Sequence, residues 1–193
     1  MTISRIKLAA LFSITIIILN KAVAIETPKH ILVKKENGGE IRQYDSMIIA
    51  TTSVWSDYSD ATSTGFRRIA SYIFGGNSDS MSSEMTAPVL TNTPDPEDIY
   101  EIQFIMPSEH SMEDLPQPNS QNVTLKKVNL GGTAVLRFGG WATQDRASHY
   151  QKKLSDLLAA SGYTVNGTFM VAQYNSPWAI PPFRKNEIIV QIK

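Results

Sequence analysis

Several side chains in this sequence have the types and spacing that chemistry uses. Glu84 and Met85 stand together in "SSEMTAPV", with Met81 four residues before Met85. A carboxylate in that place acts as general acid or base if a pocket buries it. Thioethers are soft and polarizable, and suit the wall of a site for a flat aromatic ring. Arg67 and Arg68 are adjacent, and guanidinium forks carboxylates well. Tyr44, Trp55, Tyr58 and Tyr72 crowd the same part of the chain. Each group also has a plain reading: methionine as gap filler, arginine as solvated helix face, aromatics as core packing.

Other chemistries are excluded or weakened. The chain has no cysteine. That removes thiol catalysis, cysteine zinc sites, iron–sulfur clusters and covalent c-type haem attachment. His30, His110 and His149 could ligate iron or zinc, but no two have the spacing of a metal pair. The patterns G-x-S-x-G, H-E-x-x-H, G-x-x-x-x-G-K and G-x-G-x-x-G are absent. "NVT" at Asn122 and "NGT" at Asn166 match the glycosylation acceptor pattern.

The elements that must position these residues follow from pattern. Arg5 and Lys7 precede the apolar run Leu8 to Leu19, and Ala22-Val23-Ala24 closes it. A basic start, a short apolar core and small exit residues predict a secretory signal peptide over residues 1–24. The run is too short for a membrane span of ~20 residues. Its removal takes three basic residues and no acid, leaving 15 basic against 18 acidic residues. That balance does not suggest a nucleic-acid partner. The expectation is an exported protein, periplasmic or secreted, with no stable membrane span after cleavage. Residues 25–193 suffice for one domain with its own core.

"ILVKKE" and "EIRQYDSMIIATTSVW" flank Asn37-Gly38-Gly39, a hairpin signal, with a bend near Asp45-Ser46. A helix is predicted from about Asp57 to Phe74, with Phe66, Ile69, Ala70 and Ile73 as its apolar stripe. Strands follow at about 86–91 and 99–106, separated by the turn "TPDPED". The proline-rich Pro107 to Gln121 reads as a seam. Beyond it "VTLKKVNL" and "TAVLRFGGWA" read as two strands joined at Gly131-Gly132. A second helix spans Gln144 to Ala160, and two more strands close the chain. Strand–helix–strand–strand thus occurs twice, in halves of about 31–107 and 122–193, which predicts an α+β domain.

The ordered blocks resemble the SOUL haem-binding protein family. "EIRQYDSMIIATTSV", "TGFRRIASYIFGGN", "EMTAPVL", "IQFIMP" with "LPQP", "LRFGG" and "YNSPWAIPPFRKNEIIV" carry the likeness across about Glu40 to Ile192. The resemblance implies a duplicated βαββ repeat forming an eight-stranded antiparallel barrel-like sheet with two main helices. It also implies non-covalent binding of haem or another tetrapyrrole beside the first helix, in a carrier, scavenger or buffer. Phe66, Ile69, Ile73 and Met85 would meet the macrocycle, with Tyr72 and Met81 beside it. Arg67 and Arg68 would meet the propionates. Some family members carry a proposed axial histidine where this chain has Gln43, and basic residues where it has Ser63 and Ser71. No metal ligand is therefore assigned. Two alternatives remain. One is an enzyme, hydrolytic or otherwise, using Glu84, Tyr72 and Tyr44 in a cleft between the halves. The other is a protein-interaction module with no small ligand.

Overall fold

The computed structural model describes residues 25–92, 99–176 and 178–193. The expected signal peptide and the "TPDPED" turn lie outside the described residues. The elements are β1 (His30–Glu36), β2 (Gly39–Trp55), α1 (Tyr58–Ile73), β3 (Val89–Asn92) and β4 (Ile99–Ile105). Then come β5 (Thr124–Phe138), α2 (Gln144–Ala160), β6 (Met170–Gln173) and β7 (Asn186–Gln191).

Every strand pairing is antiparallel, in the order β1-β2-β4-β3-β6-β7-β5, and β5 pairs again with β2. That last pairing closes six strands into a barrel, with β1 added outside it on β2. The fold is α+β with two main helices, as the sequence predicts. The described sheet has seven strands rather than eight. The difference is at Gly131-Gly132, which read as a turn. Here β5 runs straight through them, pairing Gly131 with Tyr44 and Gly132 with Gln43. Gly131 has φ +53 and its N–H donates to the Asn129 side chain at 2.9 Å. The glycine therefore takes up an irregularity within a strand that β2 holds on both sides of it.

Local chemistry explains the other elements. Asn37 and Gly38 have φ of 51° and 83°, the two-residue hairpin turn expected between β1 and β2. Long β2 changes partners along its length. It pairs with β1 up to Tyr44 and with β4 from Ile49. β3 begins at Val89, later than expected, because Pro88 has no N–H for the ladder. The Ala87 N–H instead donates to the Glu26 carbonyl at 2.8 Å.

Asp57 caps α1 by accepting from the Asp60 N–H at 2.9 Å. The helix is rich in Ser and Thr and contains Gly65, so packing rather than propensity holds it. Its buried face is Tyr58, Ala61, Gly65, Ile69, Tyr72 and Ile73. All but Gly65 join Ala50, Val54, Ile102 and Phe104 of β2 and β4 in one core cluster. Gly65 permits the contact: a Cβ there would lie 2.5–2.8 Å from Ile102 side-chain carbons. Thr143 caps α2, whose Ala147, Leu154 and Leu158 pack on Ala134, Leu136, Ile188 and Val190 of β5 and β7.

The barrel interior is apolar in the middle and charged towards one end. Ile49, Leu90, Ile105, Val135 and Ile189 form the apolar part. Next to them Arg42 and Glu187, 1% and 0% exposed, make a two-pronged ion pair with both bonds at 2.9 Å. Arg42 also donates to Tyr44 Oη at 2.9 Å and Glu40 Oε2 at 2.6 Å. Tyr174 donates to Glu187 at 2.6 Å, and Arg137 donates to it at 3.1 Å.

Two outcomes follow from this packing. Gly65→Ala should lower stability by about 1–3 kcal/mol, because overpacking against Ile102 outweighs the gain in helix propensity. A thermal melt checks this, and an unchanged Tm would mean that β4 yields freely. For Glu187, burial favours the neutral acid, but hydrogen bonds from Arg42 and Tyr174 outweigh it and hold the pKa below the ordinary value. A depressed carboxylate contributes stability above its unfolded pKa of ~4.3 and loses it as pH falls through the folded value. Glu187→Gln should therefore cost about 3–5 kcal/mol at pH 7. Its deficit against the native protein should shrink in urea titrations at pH 3. A deficit independent of pH would show that Glu187 is not ionised in the fold.

Candidate functional site

The two helices rest on different strands. α1 lies over β2 and β4, and α2 lies over β5 and β7. Between them β3 and β6 pair with each other and form a floor. A groove of about 960 Å³ opens there, at the upper end of the ~300–1,000 Å³ typical of small-molecule sites. One wall is the flank of α1: Ser59, Thr62, Ser63, Phe66 and Arg67. The floor is Val89 and Thr91 of β3 with Gln173 of β6. The other wall is Trp141, Ala142, Thr143 and Gln144 at the start of α2, with Asn175 and Arg184.

The far wall is braced from the barrel. The Asn186 side chain donates to the Gly140 carbonyl at 2.8 Å. The Arg184 guanidinium stacks over the Trp141 ring at 3.7 Å and donates to the Ala179 carbonyl at 2.8 Å. The segment between β6 and β7 that carries Asn175 and Arg184 also carries Trp178 and Phe183, 90% and 73% exposed.

Of the residues that the sequence offered, the groove brings together Phe66 and Arg67. Arg67 is exposed and donates to Thr64 Oγ1 at 3.0 Å. Arg68 turns to β2 instead, donating to the Ser53 carbonyl at 3.0 Å. Ile69, Tyr72 and Ile73 are core residues, and the Tyr72 hydroxyl donates to the Pro116 carbonyl at 3.1 Å. Met81 packs against that same core cluster. Its loop is held by Asn77, whose Nδ2 donates to the Tyr72 and Met81 carbonyls at 3.0 and 2.7 Å. Met85 is exposed at the loop end and does not line the groove.

Gln43 is exposed on the outer face of the barrel, since its neighbours Arg42 and Tyr44 point inward. It is not part of the groove. Glu84 is exposed, while Tyr44 lies in the barrel interior and Tyr72 under α1. The three are not brought together. His110 lines a separate cavity of about 580 Å³ with Met47, Met106 and Met112. Among the described residues no cluster of His, Asp and Glu could hold a metal ion.

Sequence reasoning missed most of the groove. Ser59, Thr62 and Trp141 carry no chemical signature in isolation, Ser63 stood out only as a place where some relatives are basic, and Asn175 and Arg184 only as part of a family block. Tyr58 was noticed only as an aromatic. It lines the groove and also a smaller cavity of about 390 Å³ beside α2. Burial pushes its phenol well above the ordinary tyrosine pKa. Its ring meets Tyr100 edge-on at 5.6 Å.

The groove fits a tetrapyrrole in part. Phe66, Val89 and Trp141 offer apolar faces and Arg67 an exposed cation, while Arg184 is buried and engaged by Trp141 and the Ala179 carbonyl. Of the side chains that ligate haem iron (His, Cys, Met, Tyr), only Tyr58 lines it among the described residues.

Comparison with known proteins agrees with this architecture. Residues 25–191 match the family described as SOUL heme-binding protein. Mouse heme-binding protein 2 is 30% identical over 156 residues, covering 77% of this chain and 75% of the relative. Human heme-binding protein 2 is 31% identical over 145 residues, covering 72% and 70%. The crystal structure of a hydrolase from Listeria innocua superposes with TM-score 0.59 over 83% of this chain and 94% of that one. At 12% identity it shares the fold alone. The extent of the family match and the level of identity lead to one conclusion: the chain belongs to the SOUL heme-binding protein family.

Proposed function

We propose that this protein is an exported, non-covalent haem or tetrapyrrole binder that acts as a carrier, scavenger or buffer rather than as an enzyme. The observation that carries the reading is the 960 Å³ groove between α1 and α2, in a chain of a haem-binding family. Phe66, Val89 and Trp141 would take the macrocycle face. The exposed Arg67 would meet a propionate, which guanidinium recognises well. No strong iron ligand lines the groove among the described residues, so affinity comes mainly from the ring and its acids.

Export rests on the basic, apolar and small-residue segments of residues 1–24. The protein recovered from its host should then begin at Ile25 by intact mass. A product that retains Met1 would remove export from the proposal.

The binding test is a titration with ferric haem followed at the Soret band, repeated with metal-free protoporphyrin IX. Saturation at one equivalent is expected for both, with affinities within about tenfold, or ~1.4 kcal/mol. Ser63→Trp places an indole in the groove from an exposed position of α1, and should weaken both at least tenfold without lowering Tm. Saturable binding that Ser63→Trp leaves intact would locate the ligand elsewhere. No saturable binding of either would overturn the reading.

A further inference from the structure

The segment between β6 and β7 turns its apolar side chains outward. Trp178, Ile180 and Phe183 are 90%, 58% and 73% exposed. Arg184 joins the segment to a further exposed ring, Trp141, on which its guanidinium stacks at 3.7 Å. Single apolar residues on a surface are ordinary, but a concentration of large ones marks a contact site.

A loose loop would fold such groups back onto the protein. This one is fixed in shape. The Ala179 N–H donates to the Ser176 carbonyl at 3.0 Å. The Phe183 and Arg184 N–H groups donate to the Ile180 and Pro181 carbonyls, each at 3.1 Å. Two prolines set φ in the short 3-10 turn Pro181–Phe183. The buried Arg184 side chain ties the turn to the Ala179 carbonyl at 2.8 Å. The rings are therefore presented before any contact is made, which lowers the entropy cost of docking.

The charge around the segment indicates what covers it. Residues 137–146 and 174–187 meet through β5 and β7, with Phe138 opposite Asn186. They carry Arg137, Arg146, Arg184 and Lys185 against Asp145 and Glu187. Glu187 is fully buried and bound to Arg42. Lys185 and Arg146 are exposed, and Arg146 donates to the Gly139 carbonyl at 2.7 Å, two residues before Trp141. This surface is positive, although acids outnumber bases over residues 25–193. Protein interfaces favour rings packed in a closely complementary patch. Side chains that stand clear of the surface, flanked by cations, suit a fluid anionic partner. Indole and phenyl rings settle at headgroup depth in a bilayer, and basic residues are drawn to anionic lipid.

We propose that the β6–β7 segment docks the protein on an anionic bilayer: Trp178, Ile180 and Phe183 enter the headgroup region, while Lys185 and Arg146 meet the lipid phosphates. Arg184 and Trp141 also line the groove. Docking thus brings the groove to the lipid surface, where flat apolar compounds partition.

The test follows tryptophan emission of the purified full chain as vesicles are added. The vesicles are phosphatidylcholine with about one phosphatidylglycerol in four lipids. The tryptophans are Trp55, Trp141 and Trp178, so residues 1–24 do not report. A saturable blue shift is expected, with quenching by brominated phosphatidylcholine, and Trp178→Phe should lose most of both. Ile180→Ser with Phe183→Ser keeps the reporter and should need about tenfold more lipid for the same shift, at unchanged Tm because both positions are exposed. Pure phosphatidylcholine should also need about tenfold more. An unshifted spectrum overturns the proposal. A shift that persists in Trp178→Phe puts another face on the lipid and overturns the assignment to this segment. Equal binding to neutral vesicles overturns the role of the cations. A dimer in sedimentation velocity that Ile180→Ser with Phe183→Ser dissolves would give the segment to a second copy of the chain instead.

Discussion

The Arg42–Glu187 pair sets constraints on much of the rest of the molecule. β2 and β7 are not neighbours, since β5 runs between them. The pair spans the barrel interior and links them directly. A buried ion pair contributes little net stability, because desolvation offsets most of the Coulombic gain. Its force is in what it forbids. A one-residue slip of either strand turns one partner outward and strands the other charge in the core. The register in which Arg42 faces Thr133 and Glu187 faces Arg137 is thereby selected. With Glu187 inward, Asn186 turns the other way and reaches Gly140, just before Trp141. The far wall of the groove is set by a charge pair in the barrel.

The groove itself is a remainder. Each helix covers two strands of the closed sheet, and the paired β3 and β6 lie between their footprints. The floor residues Val89 and Gln173 are consequently part-exposed in the groove, while Thr91 lies buried beneath it.

The architecture was legible in the sequence where local rules decide it. Asn37-Gly38 gives the hairpin, Asp57 the start of the first helix, and the doubled strand–helix–strand–strand order the α+β class. Gly131-Gly132 misled, because a glycine pair looks like a turn unless one knows that β2 holds the strand across it. The site was less legible for a different physical reason. Periodicity finds the apolar stripe of a helix, and that stripe faces the core. Ile69 and Ile73 fell to the core by this rule. Groove residues sit on the flank, where Ser59, Thr62 and Ser63 look like ordinary solvated positions. Arg42 and Glu187 are 145 residues apart, and nothing local marks either charge as buried.

The smallness of those flank residues is itself a structural statement. Serine and threonine are mediocre helix formers, and a leucine or lysine at positions 59, 62 and 63 would suit an isolated helix better. Long side chains there would reach across towards Trp141 and Ala142 and close the gap. The helix forgoes a few tenths of a kcal/mol at each such position, and the core beneath it offsets that loss through Ile69, Tyr72 and Ile73. Gly65 is what lets that core form, by admitting α1 close enough to β4 for Ile102 to fill the interface. The tight inner face and the open outer flank of α1 are therefore linked: packing on one side is what permits space on the other.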